Sequence, residues 1–181
     1  MKTKHKVLAI GAHPDDLEIS CAGTLAKWVN GGALVTMVIV TDGELSSPTK
    51  ELKTRIGRVR INEFYGAAEV INAAALRLRI PDGFVFDNRE NRQRFIKLML
   101  QVKPDTVITH YPDDHPDHQA VNRLVCASVV IAQAQSHSLE KWRVKKVYLM
   151  EPLGGLGFEP DVYVDITPTL SIKKKMLLKH I

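Results

Sequence analysis

The sequence predicts a single α/β domain, a mostly parallel sheet with helices on both faces. Three observations carry this. Apolar runs of strand length alternate with longer stretches of helical periodicity along the chain. The strand candidates are nearly continuous in apolar residues, as strands buried on both faces are. The 181 residues contain no repeat, low-complexity tract or interdomain linker, and suit one compact domain.

The elements follow in order. "KVLAIGA" (6–12) reads as a buried strand. "LEISCAGTLAKWVNGG" has apolar residues at 17, 21, 25, 28 and 29, a helical spacing, and stops at Asn30-Gly31-Gly32. "ALVTMVIVTDG" (33–43) is a β-branched second strand ended by Asp42-Gly43. The polar stretch "ELSSPTKEL" leads into a long helix from about residue 52 to 72. "LRLRI" (76–80) is a short strand closed by "PDG", and "NRENRQRFIKLMLQV" (88–102) is the next helix, stopped by Lys103-Pro104-Asp105. "TVITHY" (106–111) is a strand, and a helix begins near "DHPDHQAV" with Pro116 in its first turn. "VKKVYLM" and "DVYVDI" are read as two further strands, and "GGLG" (154–157) as a loop.

Composition excludes several classes of function. The net charge of +5 comes from 25 basic and 20 acidic residues, grouped as "KTKHK", "RIGRVR" and "KKK". These read as solvated faces and a basic end. Aromatic content of 6% and the absence of a recognition helix or stacking module argue against nucleic acid. An acidic small substrate is compatible with the charge. No run approaches the ~20 apolar residues of a membrane span, and "VLAIGA" is too short for a signal peptide. Cys21 and Cys126 lie far apart in helix-like segments and read as buried free thiols of a reducing, cytoplasmic protein.

Two clusters carry the chemistry. "AHPDD" and "HPDDHPDH" both fall just beyond the carboxyl ends of predicted strands, where ligands of parallel sheets sit. His13 and Asp16 are three apart on a turn stiffened by Pro14; His115 and His118 are three apart at a helix start. Taken singly, either cluster has a bland reading: Asp15 or Asp16 as a helix cap, the histidines as surface residues. Together on one rim they point to a divalent metal, since imidazole and carboxylate are ordinary zinc ligands and a catalytic site leaves a position for water. No Gly-x-Gly-x-x-Gly, phosphate-binding Gly-Lys-Ser/Thr or nucleophile elbow is present.

The motifs resemble those of the LmbE/PIG-L family of zinc-dependent N-deacetylases. "AHPDDLEISCAGTLAKW" is similar to the family's opening, and "VTDGE" to its second-strand ending. "RINEFYGAAEV" resembles its Arg-x-x-Glu helix and "KPDTVITHYPDDHPDH" the signature before the third ligand. "FEPDVYVDITPTLSIKKKMLLKHI" resembles its C-terminal stretch, so the resemblance runs along essentially the whole chain.

The resemblance implies a Rossmann-like domain that deacetylates a small substrate, an N-acetylglucosamine derivative. It makes His13, Asp16 and His118 the zinc ligands and Asp15 the base for the zinc-activated water. His115 would stabilise the oxyanion or protonate the leaving amine, and Asp117 would orient a histidine. Arg60 would either reach an anionic substrate group or pair with Glu63. Asp113, expected at the substrate, stands where members acting on the mycothiol precursor carry a tyrosine, as in the bacillithiol-type and general bacterial branch. Bacterial members usually continue past "KHI", so a truncated C-terminus is expected, and homo-oligomers are common. The open alternatives are an amidase of a larger conjugate and a metal-binding module without turnover. Fe(II), Co(II) or Mn(II) would also suit the donor set.

Overall fold

The computed structural model describes residues 4–46, 49–136, 142–155 and 157–180, without the side chains of 50, 51, 53 and 54. Its strands are β1 (Lys6–Gly11), β2 (Leu34–Ile39), β3 (Ala74–Arg77), β4 (Thr106–His110) and β5 (Lys146–Met150). They form one parallel sheet in the order β3-β2-β1-β4-β5. β1 lies at the centre, with Val7 beside Val35 on one flank and beside Thr106 on the other. The strand order reverses between β1 and β4, and that reversal opens a crevice at their carboxyl ends.

Alternating side chains divide the core in two. Val7 and Ala9 of β1 enter a cluster with Val35, Met37 and Ile39 of β2, covered by α1 (Asp16–Ser20), α2 (Ala22–Asn30), α3 (Lys50–Val70) and α6 (Leu170–Leu177). Leu8 and Ile10 enter the opposite cluster, under α4 (Arg89–Val102) and α5 (Pro116–Ser136). Val7, Leu8, Ala9 and Ile10 are all 0% exposed, which explains the unbroken apolar run of this strand. The helix starts use the side chains expected of caps. Thr49 accepts from Leu52 N ahead of α3 and Asn88 from Asn91 N ahead of α4. Pro116 is the first residue of α5.

The structure departs from the sequence reading at four places. The first helix breaks at Cys21 (φ −136°, ψ 4°) into α1 and α2, so the chain turns sharply above the tip of β1. β3 starts at Ala74, two residues earlier than expected. "DVYVDI" forms no strand: Val162, Tyr163 and Val164 are exposed. This segment is tied to α2 instead, with Lys27 Nζ donating to Asp165 O (2.9 Å) and Ile166 packed against Gly23. Its β propensity finds no neighbouring strand to pair with. Cys126 is exposed on α5, whereas Cys21 is buried as expected. The glycines of 154–157 lie in a loop, and residue 156 is outside the described residues.

After α6, His180 stands between two glutamates from different helices. Its Nε2 is 3.7 Å from Glu18 of α1 and its Nδ1 3.7 Å from Glu63 of α3. Glu18 is wholly buried, and neither of its carboxylate oxygens has a hydrogen-bond partner among the described residues.

Candidate metal centre

The crevice between β1 and β4 collects the chemistry. At the tip of β1 a side chain on Gly11 would press on Asp16 Cβ (3.0 Å) and Leu17 (3.2 Å), so glycine lets α1 fold back on the strand. The next turn puts Asp15 in a left-handed conformation (φ 100°, ψ −24°). That is costly for a residue with a side chain and is characteristic of functional sites. Asp15 occupies the cap position of α1, but its side chain makes no cap hydrogen bond. The capping alternative therefore does not hold for it. Asp16 turns back instead and accepts from His13 N (2.7 Å).

Around these lie the other residues singled out by sequence. His13 Nδ1 is 3.5 Å from Asp16 Oδ2, and His118 Nε2 is 3.6 Å from Asp16 Oδ1. The rings of His13 and His118 are 5.4 Å apart between centroids. Among the described residues three sets of donor atoms each fall within 4.8 Å: His13/His115/His118, Asp16/His110/His118 and His13/Asp82/Asp117. These sets overlap on the expected ligands rather than holding His13, Asp16 and His118 in a single triple.

The histidines are oriented by carboxylates. His13 Nε2 faces Asp82 Oδ1 (3.1 Å) and Asp117 Oδ2 (3.3 Å), which turns Nδ1 toward Asp16. Asp117 itself accepts from Gly83 N and Val85 N and is fixed. His118 Nδ1 is held by Asp113 Oδ2 at 2.7 Å, leaving Nε2 toward Asp16. Asp113 also accepts from His115 N (2.9 Å), so both of its oxygens are engaged by the protein. Asp113 thus holds a histidine while it also lines the cleft, where the sequence places it at the substrate. Of the two readings of Arg60, the pair with Glu63 is not the one seen: Glu63 meets His180, while Arg60 Nη2 lies 3.1 Å from Asp15 Oδ2. Arg60 also donates to Pro14 O (2.6 Å) and Gly43 O (3.1 Å).

The electrostatics call for positive charge. Burial works against a protonated His13, yet hydrogen bonds to Asp117, Asp16 and Asp82 outweigh it and push its pKa up to about 11. Burial alone would raise Asp16, but hydrogen bonds to His118 and His13 hold it well below the ordinary carboxylate range. His118 is raised by Asp16 and Asp113 against its burial. A cluster in which carboxylates grip imidazoles this way suits a divalent cation, and the oxygen and nitrogen donors fit a borderline ion such as zinc.

His115 and Asp15 differ from the rest. Burial and the neighbouring His118 and His13 lower the pKa of His115, keeping its ring neutral. Its Nδ1 accepts from Asp117 N (3.2 Å), so the proton sits on Nε2. Burial raises Asp15, with Arg60 pulling the other way. These residues line a cleft of about 460 Å³, with Leu45 and Leu153 on its apolar side.

Two residues of the cluster were not foreseen. His110 is the last residue of β4 and looked like part of a strand; Asp82 looked like the turn after β3. Both stand just past, or at, the carboxyl end of a strand. That position on the predicted rim is the signal that could have found them.

Comparison with known proteins gives a consistent picture. The family described as GlcNAc-PI de-N-acetylase (PIG-L) matches residues 8–129. A 1D-myo-inositol 2-acetamido-2-deoxy-alpha-D-glucopyranoside deacetylase of Segniliparus rotundus is 31% identical over 179 residues, 79% of this chain and 56% of its own. The chain thus spans little more than half of that relative. A diacetylchitobiose deacetylase of Thermococcus kodakarensis is 25% identical over 187 residues, 97% of this chain and 68% of its own. Among solved structures, N,N'-diacetylchitobiose deacetylase from Pyrococcus horikoshii superposes with a TM-score of 0.84 at 26% identity, covering 99% of this chain and 70% of that one. A 4-carboxy-2-hydroxymuconate hydratase from Pseudomonas putida shares the fold at 23% identity (TM-score 0.87; 97% of this chain, 78% of that one), so the fold alone does not decide the reaction.

Proposed function

The chain belongs to the PIG-L family, and from that premise we propose that it is a zinc-dependent deacetylase of a small N-acetylglucosamine derivative. The observation that carries this reading is Asp15. It stands in a strained turn next to the ligand candidates, engages Arg60 and makes no side-chain cap of α1. A module that only binds metal has no use for such an acid, whereas hydrolysis needs a base close to the attacking water.

In this reading His13, Asp16 and His118 hold the cation. When bound, it would polarise the amide carbonyl and make water a better nucleophile near neutral pH. Asp15 accepts the proton that water loses on attacking the carbonyl carbon. His115, neutral and protonated on Nε2, donates a hydrogen bond to the oxygen that becomes negative. As the oxyanion re-forms the carbonyl the C–N bond breaks, the amine takes the proton held by Asp15, and acetic acid departs and ionises to acetate in solvent. Asp117 and Asp113 keep His13 and His118 in their working orientations. The deacetylases among the relatives support the acetamido sugar as substrate, and the cleft volume suits a molecule of that size.

No described helix is long and apolar enough to cross a membrane. A cytoplasmic protein with an exposed free thiol at Cys126 is part of the proposal. So is the homo-oligomer implied by the resemblance.

Metal analysis of the purified protein, with acetate release measured over a panel of N-acetylated sugars and sugar conjugates, tests the reading. Zinc with acetate release from N-acetylglucosamine derivatives is expected. Tight metal binding with no acetate from any of them would leave a binding module in its place.

A further inference from the structure

We infer that His110 is a positioning residue whose neutral ring, with Nε2 as acceptor, joins the two loops that carry the metal ligands. The inference rests on the proposed ligand set. Three contacts converge on this one residue. Ala12 N donates to its Nε2 at 2.9 Å, fixing the segment that leads into His13. Its ring stacks on His118, with centroids 3.9 Å apart and planes at 12°. Its carbonyl accepts from Asn122 Nδ2 at 2.8 Å, one helical turn beyond His118 on α5. A single side chain and its backbone thus link the β1 loop, the end of β4 and the start of α5.

The proton count separates this role from that of a ligand. Nε2 also lies 3.1 Å from Asp16 Oδ2, and Asp16, His110 and His118 form one of the close donor sets. One ring nitrogen cannot accept from an amide and also donate to a carboxylate or bind a cation. Among the described residues no carbonyl takes the Ala12 amide, whereas Thr41 N and Thr41 Oγ1 both go to Ala12 O. Giving the Nε2 lone pair to a cation would orphan a buried donor, which folded proteins avoid. The ring therefore keeps its proton on Nδ1, and Asp16 is left to the metal.

Substitution tests this through metal affinity rather than turnover. His110→Gln keeps an acceptor at the distance of Nε2; His110→Phe keeps the ring and its stacking but removes the acceptor. Chelator competition with Zn(II) and Co(II) should show His110→Phe weaker by roughly 10- to 100-fold, the usual effect of losing an outer hydrogen bond at a metal site. His110→Gln should remain near wild type, with the wild-type Co(II) absorption spectrum. Wild-type affinity in His110→Phe would overturn the inference, and so would equal losses in both variants, the mark of a direct ligand. If His110→Phe fails to fold, ¹⁵N NMR of the wild type decides: an unprotonated Nε2 is expected, and a protonated one refutes the assignment. Should the wild type bind neither metal, the proposed function fails, while the tautomer still judges His110.

Discussion

Arg60 holds the carboxylate of Asp15, Nη2 to Oδ2 at 3.1 Å, and does so from α3, for which the sequence offered a substrate anion or Glu63 as partner. The same guanidinium donates to Pro14 O and Gly43 O, so it braces the acid and the turn that carries it. Asp15 is thus fixed from outside the metal cluster. That separation lets the base be removed without dismantling the cation site.

Asp15→Ala is accordingly expected to retain most of the bound zinc and lose about 100-fold or more in kcat, the range of general-base contributions. Metal content by plasma emission and acetate release on the same preparation check both halves. A wild-type rate in the variant would refute the assignment of the base.

Asp117→Asn should act through His13. Its Oδ2 lies 3.3 Å from His13 Nε2 while backbone donors from Gly83 and Val85 hold the carboxylate in place. The amide keeps the shape but loses the charge, and zinc affinity should fall by roughly 10- to 100-fold. His118→Ala, which removes a ligand, should lose the metal altogether. Competition with a chromogenic chelator ranks the two.

Gly43→Ala probes the brace on Asp15. Gly43 has φ +67°, and a Cβ there would collide with the Arg60 guanidinium. The left-handed backbone alone costs about 1–2 kcal/mol for an L side chain. The displaced Arg60 should lower activity as Arg60→Ala does. In the double variant the two losses should not add, because both act through one contact. Additive losses would separate Gly43 from Arg60.

The glutamates around His180 predict a pH dependence of stability. Burial lowers the pKa of His180, but Glu18, Asp15 and Glu63 together raise it above the ordinary 6.5. A histidine raised on folding stabilises fully below its unfolded value and loses that contribution as pH climbs through the folded value. His180→Gln should therefore melt well below wild type in mild acid, with the gap closing in alkali. Melting curves of both proteins across that range check the sign; a gap that widens with pH would refute it.

How much was legible in the sequence depended on which interactions were local. The βαβα order was readable because apolar runs of strand length mark strands buried on both faces, as β1 is. The paired clusters were readable because His13 to Asp16 and His115 to His118 are short-range spacings on opposite sides of one crevice. The hold of Asp113 on His118 was not legible, because its partner is set by how the turn before α5 folds, not by its own spacing. His110 and Asp82 carry no mark beyond their place at a strand's carboxyl end: a histidine ending a strand and an aspartate in a turn look alike whether or not they face a cluster. "DVYVDI" has every local property of a strand. Only tertiary structure reveals that the segment is anchored to α2 through Asp165 and Ile166 instead.

The long separation between the two halves of the clasp has a kinetic consequence. Ala12 and His110 are 98 positions apart, and their strands meet side by side only after everything between them has been laid down. Closing so large a loop comes late in folding, and a cation that needs both halves can be captured only afterwards. Zinc should then act as a rivet: refolding proceeds at one speed with zinc or with EDTA, while escape from the native state slows when zinc is present. Stopped-flow traces in both directions would show this, and faster refolding in zinc would mean that the strands meet early.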